Sequence, residues 1–344
     1  MSQSLEFPFD LPPQLGEPQC VAEGVYWLRM PLPFALDHIN LWLLDDGDGW
    51  TVVDTGVATD EVIDHWLALF DRWMVDKPVK RVIVTHLHPD HVGLAGWITA
   101  HWQVALWMSR TDYLLCRNLL ADSHREAPEE ALRFYRAAGF DEAGLNAYRA
   151  HFGAFGRLVR ALPNAYRRLV DNETLLIGGH EWHVLMGQGH APEHACLYCP
   201  DKNVFIAGDQ LLPGISSNVS VWPYEPHADP LAEWIASCER LRARLPSDVL
   251  VLPAHERPFI GARERCTGLI ESHEKSLVDL YDFCATPRRV VDVFPALFRR
   301  PINKGNLLLA TGESQAHLNC LLVRGLLRVE TDASGVNYYQ QASE

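Results

Sequence analysis

Thr85-His86-Leu87-His88-Pro89-Asp90-His91 is the stretch that decides how this chain of 344 residues is read. Three imidazoles and a carboxylate fall within six residues, directly after the apolar run Val82-Ile83-Val84. A strand that ends there delivers all four groups to one point at a sheet's edge. Imidazole nitrogen and carboxylate oxygen are the donors zinc accepts in open, catalytic sites. A solvated His-rich turn is the weaker reading.

The same signature recurs downstream. His190 lies in Gly187-Gln188-Gly189-His190, after Val184-Leu185-Met186. Asp209 follows Val204-Phe205-Ile206-Ala207-Gly208, and His255 follows Val249-Leu250-Val251-Leu252-Pro253-Ala254. Each is a potential ligand just past a short apolar run, where a buried strand ends. Four strand ends are thus expected to converge on one rim.

This pattern resembles the metallo-β-lactamase-fold hydrolases, over roughly Val21 to Phe259. The resemblance implies an α/β fold, an αββα sandwich. It assigns His86, His88 and His190 to one metal ion, and Asp90, His91 and His255 to a second, with Asp209 bridging. It also implies that Asp54, in Val52-Val53-Asp54-Thr55-Gly56, orients a ligand imidazole from behind, as metal-bound histidine usually requires. His194, in Gly189-His190-Ala191-Pro192-Glu193-His194, matches a supporting histidine of that family. Glu193 stands where relatives often have Gly, so the shape of that loop is left open. Two divalent ions are implied: zinc first, with iron or manganese also accommodated by imidazoles and carboxylates.

Composition is that of a globular enzyme, with 48% hydrophobic residues and a net charge of −14. No apolar run approaches the roughly 20 residues that cross a bilayer. The acidic, proline-rich start has no basic segment and no apolar signal core, so a cytoplasmic location without membrane contact is expected. Cys196-Leu197-Tyr198-Cys199 has a C-x-x-C spacing that metal or redox sites use. It sits in an apolar run, however, and residues three apart on a strand face opposite sides. A structural role is expected.

Residues 1–20 are read as an N-terminal extension, 21–259 as the catalytic domain and 260–344 as a separate small domain. Within the second, 109–169 is a helical insertion. Pro128-Glu129-Glu130 reads as a helix start. Leu145, Tyr148, Phe152, Phe155, Val159 and Leu162 recur at the spacing of one amphipathic helix. The insertion carries ten Arg against seven acids, a local balance of +3. Arg157, Arg160, Arg167 and Arg168 cluster around Tyr166 and are candidates to meet an anionic group of the substrate, because guanidinium forks suit carboxylate and phosphate. They read equally well as a solvated face paired with the chain's own acids. Trp222 and Tyr224 are candidates to line the pocket, with burial in the core the favoured reading.

The tail is expected to hold helices over 262–284, 288–298 and 312–324. A hairpin around Asp332-Ala333-Ser334-Gly335 follows. Helices followed by a hairpin resemble a winged helix, which some metallo-β-lactamase-fold hydrolases carry at this position. Animal members of that branch resemble endoribonucleases in activity, so single-stranded RNA is the rival substrate. Charge opposes it. The tail has ten basic and ten acidic residues, and nucleic-acid affinity rests mainly on Lys and Arg at phosphates. The tail is expected to pack against the catalytic domain or against a second subunit in a homodimer.

The expected activity is therefore hydrolysis of a small ester, thioester or lactone with an anionic portion. A hydroxide shared by two metal ions is the nucleophile, and Asp90 and Asp209 are the catalytic carboxylates. A metal-dependent phosphodiesterase or endoribonuclease is the alternative, and a non-catalytic regulator a distant third. The glyoxalase II-like pattern, with His91 and Asp209, separates the chain from cysteine-containing lactamases. His88 and His190 separate it from flavin-partnered oxygen reductases, which prefer a carboxylate among these ligands.

Overall fold

The computed structural model describes residues 5–34 and 36–342. Residues 1–4 of the expected N-terminal extension, with 343 and 344 of the tail, lie outside the described residues.

Strands β1 (Gln19–Ala22), β2 (Val25–Pro31), β3 (His38–Asp45) and β4 (Trp50–Val53) form an antiparallel meander. Helix α1 (Asp60–Trp73) starts where Thr59 accepts a hydrogen bond from Val62 N, with Asp60 and Glu61 in its first turn. Both features favour the positive end of a helix. Val62, Trp66, Leu69 and Phe70 recur at helical spacing and are buried. Then come β5 (Val79–Ile83), the short α2 (Pro89–Val92), α3 (Ala95–Trp102) and β6 (Ala105–Met108). Helices α4 (Arg110–Ala121), α5 (Glu129–Ala137) and α6 (Glu142–His151) make up the insertion, which rejoins the sheet at β7 (Arg167–Arg168). The order β1-β2-β3-β4-β5-β6-β7 completes a seven-stranded sheet whose last four strands run parallel.

The second sheet is built from β8 (Thr174–Ile177), β9 (His180–Gly187), β10 (His194–Cys199) and β11 (Val204–Gly208). Helix α7 (Pro230–Arg244) crosses over to β12 (Leu250–Pro253), which lies parallel to β11. In the tail, α8 (Ala262–Phe283), α9 (Phe294–Leu297) and α10 (Leu307–Val323) precede the antiparallel pair β13 (Leu327–Thr331) and β14 (Asn337–Gln341).

Alternation along the strands builds the layers. On β2 and β3, Val25, Trp27, Trp42 and Leu44 face Trp182, Val184, Leu197 and Ile206 of the second sheet. The opposite face, with Leu28, Met30, Leu41 and Leu43, packs under α1 and α3. Phe205 and Ala207 of the second sheet pack outward against α7, α8 and the tail. The result is the expected αββα sandwich. Cys196 and Cys199 are free, buried, and point into different layers.

Two helices are shorter than the periodicity predicts. The single helix expected over 145–162 ends at His151, because Gly153 adopts φ +73° and turns the chain into a 3-10 segment at 154–157. The tail helix expected over 288–298 is a 3-10 turn at 290–293 followed by one turn of α9. The third begins earlier than predicted, at Leu307. It is buried almost continuously from Ala310 to Leu321. Trp222 is half-buried and Tyr224 is 49% exposed, so neither belongs to the core as favoured. No helix among the described residues is long and apolar enough to cross a membrane.

Candidate metal centre

Parallel pairing decides where the donors go. The C-terminal ends of β4 and β5 share one edge of the first sheet, and those of β9, β11 and β12 share one edge of the second. The chain leaves β5 into His86, His88, Asp90 and His91, with Pro89 opening α2. It leaves β9 toward His190, β11 directly into Asp209, and β12 into His255. Gly208 has φ +52°, and a Cβ there would lie 2.5 Å from the His194 ring, so only glycine lets Asp209 approach this closely.

Two donor groups result. His86, His88, His190 and Asp209 present atoms within 4.8 Å of one another, and so do Asp90, His91 and His255. In the first group His88 Nδ1 lies 2.9 Å from His86 Nε2 and 3.0 Å from His190 Nε2. In the second, His255 Nε2 is 3.4 Å from Asp90 Oδ2. Asp209 stands between them. Its Oδ2 is 3.3 Å from His190 Nε2 and 3.5 Å from His91 Nε2, while its Oδ1 is 3.4 Å from His255 Nε2.

The donors are held from behind. Asp54, at φ +61°, places Oδ2 2.8 Å from His91 Nδ1, while Thr85 donates to both its oxygens. His194 Nε2 accepts from the backbone N of Asp209 at 3.1 Å. Three further supports were not singled out from the sequence. The carbonyl of Asn218 accepts from His190 Nδ1 at 2.7 Å, and that of His38 from His255 Nδ1 at 3.0 Å. Asp112, buried on α4, accepts from Leu87 N at 3.0 Å and Glu193 N at 2.8 Å, joining the two ligand loops. Glu193 adds a bond of its own, accepting from Thr111 N at 2.8 Å. That contact answers the loop-shape question, since the residue in place of Gly is used as an anchor.

The electrostatics fit cations. Burial, reinforced by neighbouring imidazoles, drives His86 and His194 well below the usual histidine range and His88 down to about 3. These shifts favour the neutral ring, the form that ligation requires. Burial also opposes charge on His91 and His255, yet Asp54 and Asp209 for the former, and Asp209 and Asp90 for the latter, raise both above the usual value. Burial opposes ionisation of Asp209 too, but His255 and His91 hold it well below the usual carboxylate range. His91 Nε2 and Asp209 Oδ1 are buried with no hydrogen-bond partner. Orphaned buried polar atoms are rare without an ion or water to take them. Imidazole nitrogens, carboxylate oxygens and two orphaned buried atoms suit a pair of divalent ions.

A family profile for the metallo-beta-lactamase superfamily matches residues 35–255, and one for the metallo-beta-lactamase-like C-terminal domain matches 277–342. The chain belongs to the metallo-beta-lactamase superfamily. Its curated relatives include hydrolases, and this chain is a metallo-hydrolase. A beta-lactamase domain protein from Burkholderia ambifaria is 40% identical with a TM-score of 0.90, covering 98% of each chain. Linear primary-alkylsulfatase of a Pseudomonas species is 27% identical over 70% of this hydrolase, which spans only 45% of that relative. Acyl-coenzyme A thioesterase MBLAC2 of Homo sapiens is 22% identical over 71% of this chain and 82% of its own.

The candidate substrate residues are more dispersed. Arg167 is paired with Glu173 and stacks on Trp107 at 4.4 Å. Tyr166 stacks on Tyr113 with centroids 3.8 Å apart. Arg157 is exposed on the 3-10 segment, and Arg160 is exposed with its backbone N bonded to Gly93 O. Arg168 is exposed, has no ion pair among the described residues, and lines a cavity of about 220 Å³ with Gln188, Glu193 and Arg240.

Proposed function

We propose that this metallo-hydrolase cleaves a small thioester or ester with an anionic portion, using two divalent ions, zinc first. The placement of Asp209 carries the reading. One carboxylate sits between two histidine-rich donor groups, with Oδ2 near His190 and His91 and Oδ1 near His255. Divalent ions held there would lower the pKa of water and polarise an acyl oxygen.

The chain's own groups do the rest. Asp54, Asn218 and His38 fix the tautomers of His91, His190 and His255, leaving the opposite nitrogens free for ligation. Asp90, whose side chain is the most exposed of the second donor group, is the carboxylate assigned to take a proton from the attacking water. Arg168 supports an anionic substrate. Its cavity borders the loop that carries His190, and the two acids in its lining are already bonded to backbone amides of Thr111 and Met186. The name of the human relative supports an acyl thioester. Against RNA, α10 is buried where a winged helix would enter a groove.

The test is turnover by one metal-analysed preparation on acyl thioesters, lactones, alkyl sulfates and single-stranded RNA, with Asp209→Ala as the blank. Metal-dependent cleavage of thioesters or esters, lost in Asp209→Ala, is expected. Arg168→Glu should raise KM for anionic substrates about tenfold, the loss of one charge-assisted contact. Cleavage of RNA or alkyl sulfate alone overturns the reading.

A further inference from the structure

The twenty residues from Gln210 to Asp229, between the bridging carboxylate and α7, contain no helix or strand. Long irregular segments inside a compact domain are usually functional. This one carries Asn218, whose carbonyl takes the Nδ1 proton of His190. What holds the segment comes largely from the tail. Arg265 donates to Leu212 O and Ile215 O, and His273 Nε2 meets Ser216 Oγ at 3.1 Å. Val221 N donates to Gly312 O at 3.0 Å, and Asn319 Nδ2 donates to Pro226 O and Ala228 O. A Cβ on Gly312 would lie 2.7 Å from Ser220, so α10 touches the segment closely.

At the centre of this clamp stands Glu313. Its Oε2 accepts from Asn218 Nδ2 at 2.8 Å, and Ser220 Oγ donates to Asn218 Oδ1 at 2.5 Å. Both polar atoms of the Asn218 side chain are therefore fixed. A residue so held cannot swing the carbonyl that orients His190. Glu313 has no salt-bridge partner among the described residues, so pairing with a cation does not explain its place beside the metal loop.

We propose that Glu313 is a positioning residue of the metal centre. Acting through Asn218, it sets the tautomer and ring angle of His190, which makes α10 of the C-terminal domain a working part of the site. The inference rests on the metal reading above and is independent of substrate.

The test uses the full-length protein loaded with zinc, followed by chelator competition and metal counting, with absorption of the cobalt(II)-loaded form as a second readout. Glu313→Ala is expected to weaken the ion held by His86, His88 and His190 about tenfold or more, as loss of outer hydrogen-bonding partners does, and to shift the cobalt spectrum. Glu313→Gln keeps an acceptor for Asn218 and should stay within about threefold of wild type. Asn319 supplies the control. Asn319→Ala releases the same segment at 226–228 without touching Asn218, so it should lower thermal stability and leave metal affinity within about threefold. Should Glu313→Ala fail to fold, Asn218→Ala, which keeps the carbonyl but loses both side-chain anchors, is expected to show the same loss. Unchanged metal affinity in these variants overturns the proposal, as does a Gln variant as weak as Ala, or Asn319→Ala as weak as Glu313→Ala. Wild-type metal content tests the reading of the centre, and the differences between variants test Glu313.

Discussion

Asp54 combines the two features that mark a working residue: a left-handed backbone and a buried carboxylate with every oxygen engaged. A non-glycine residue at positive φ costs on the order of 1–3 kcal/mol and persists only where its surroundings demand it. Here the demand is the Nδ1 proton of His91. Asp54→Ala should therefore fold yet hold the second ion about 10–100-fold more weakly, measured by chelator competition. Glu313 offers a test of a different kind. Burial pushes its carboxyl up to about 7, although the Asn218 hydrogen bond works the other way. The folded protein then binds this proton more tightly than the unfolded chain does. The associated stability is complete below the ordinary value of 4.5 and is lost as pH rises through about 7. In the metal-free protein, Glu313→Gln should gain melting temperature relative to wild type as pH is raised from about 5 to about 8. A flat difference would refute the assignment. The histidines and aspartates that cluster at the rim were legible in the sequence because each follows an apolar run within a few residues. Asn218 and His38 were not, because they act on their histidines through backbone carbonyls, which every residue has.

At the scale of elements, α4 shows why a ligand loop stays in place. Asp112 is fully buried and serves the amides of Leu87 and Glu193, one from each loop. Leaving a buried donor unpaired costs about 1–3 kcal/mol. Asp112→Ala should thus lose about 2–5 kcal/mol in urea unfolding of the metal-free protein. A loss below about 0.5 kcal/mol would mean that water replaces the carboxylate. From sequence, Asp112 was one acid among seven in a helical insertion, and nothing in helical periodicity separates a buried carboxylate from a solvated one. The same limit explains the helix expected over 145–162. Its apolar spacing was real, since Leu145, Tyr148, Phe152, Phe155 and Val159 all pack inward. Gly153 nevertheless turns the backbone left-handed, and the two halves bury against different clusters. In α1, by contrast, cap, acidic first turn and apolar stripe all specify the same helix.

On the scale of the whole molecule, the tail shares its core with the catalytic sheet. One hydrophobic cluster runs from Phe205 and Ala207 of β11 through Trp234 of α7 to Val290, Leu318 and Tyr339 of the tail. An independent domain would keep its own core and meet its neighbour through a more polar interface. The helices and hairpin after residue 260 read as such a domain in the sequence, where a change of pattern says nothing about whether the two sides share buried surface. A shared core has a thermodynamic consequence. Neither part can unfold without exposing the other's apolar face, so the metal-free chain should melt in one calorimetric transition whose calorimetric and van't Hoff enthalpies agree. Leu318 is fully buried in that cluster. Leu318→Ala should cost about 2–5 kcal/mol and lower the single transition as a whole. Two resolved transitions, with only the smaller one moved by Leu318→Ala, would instead mean that the tail folds alone. The clamp on Asn218 would then open before the rest of the molecule, and metal would be released at the lower of the two temperatures.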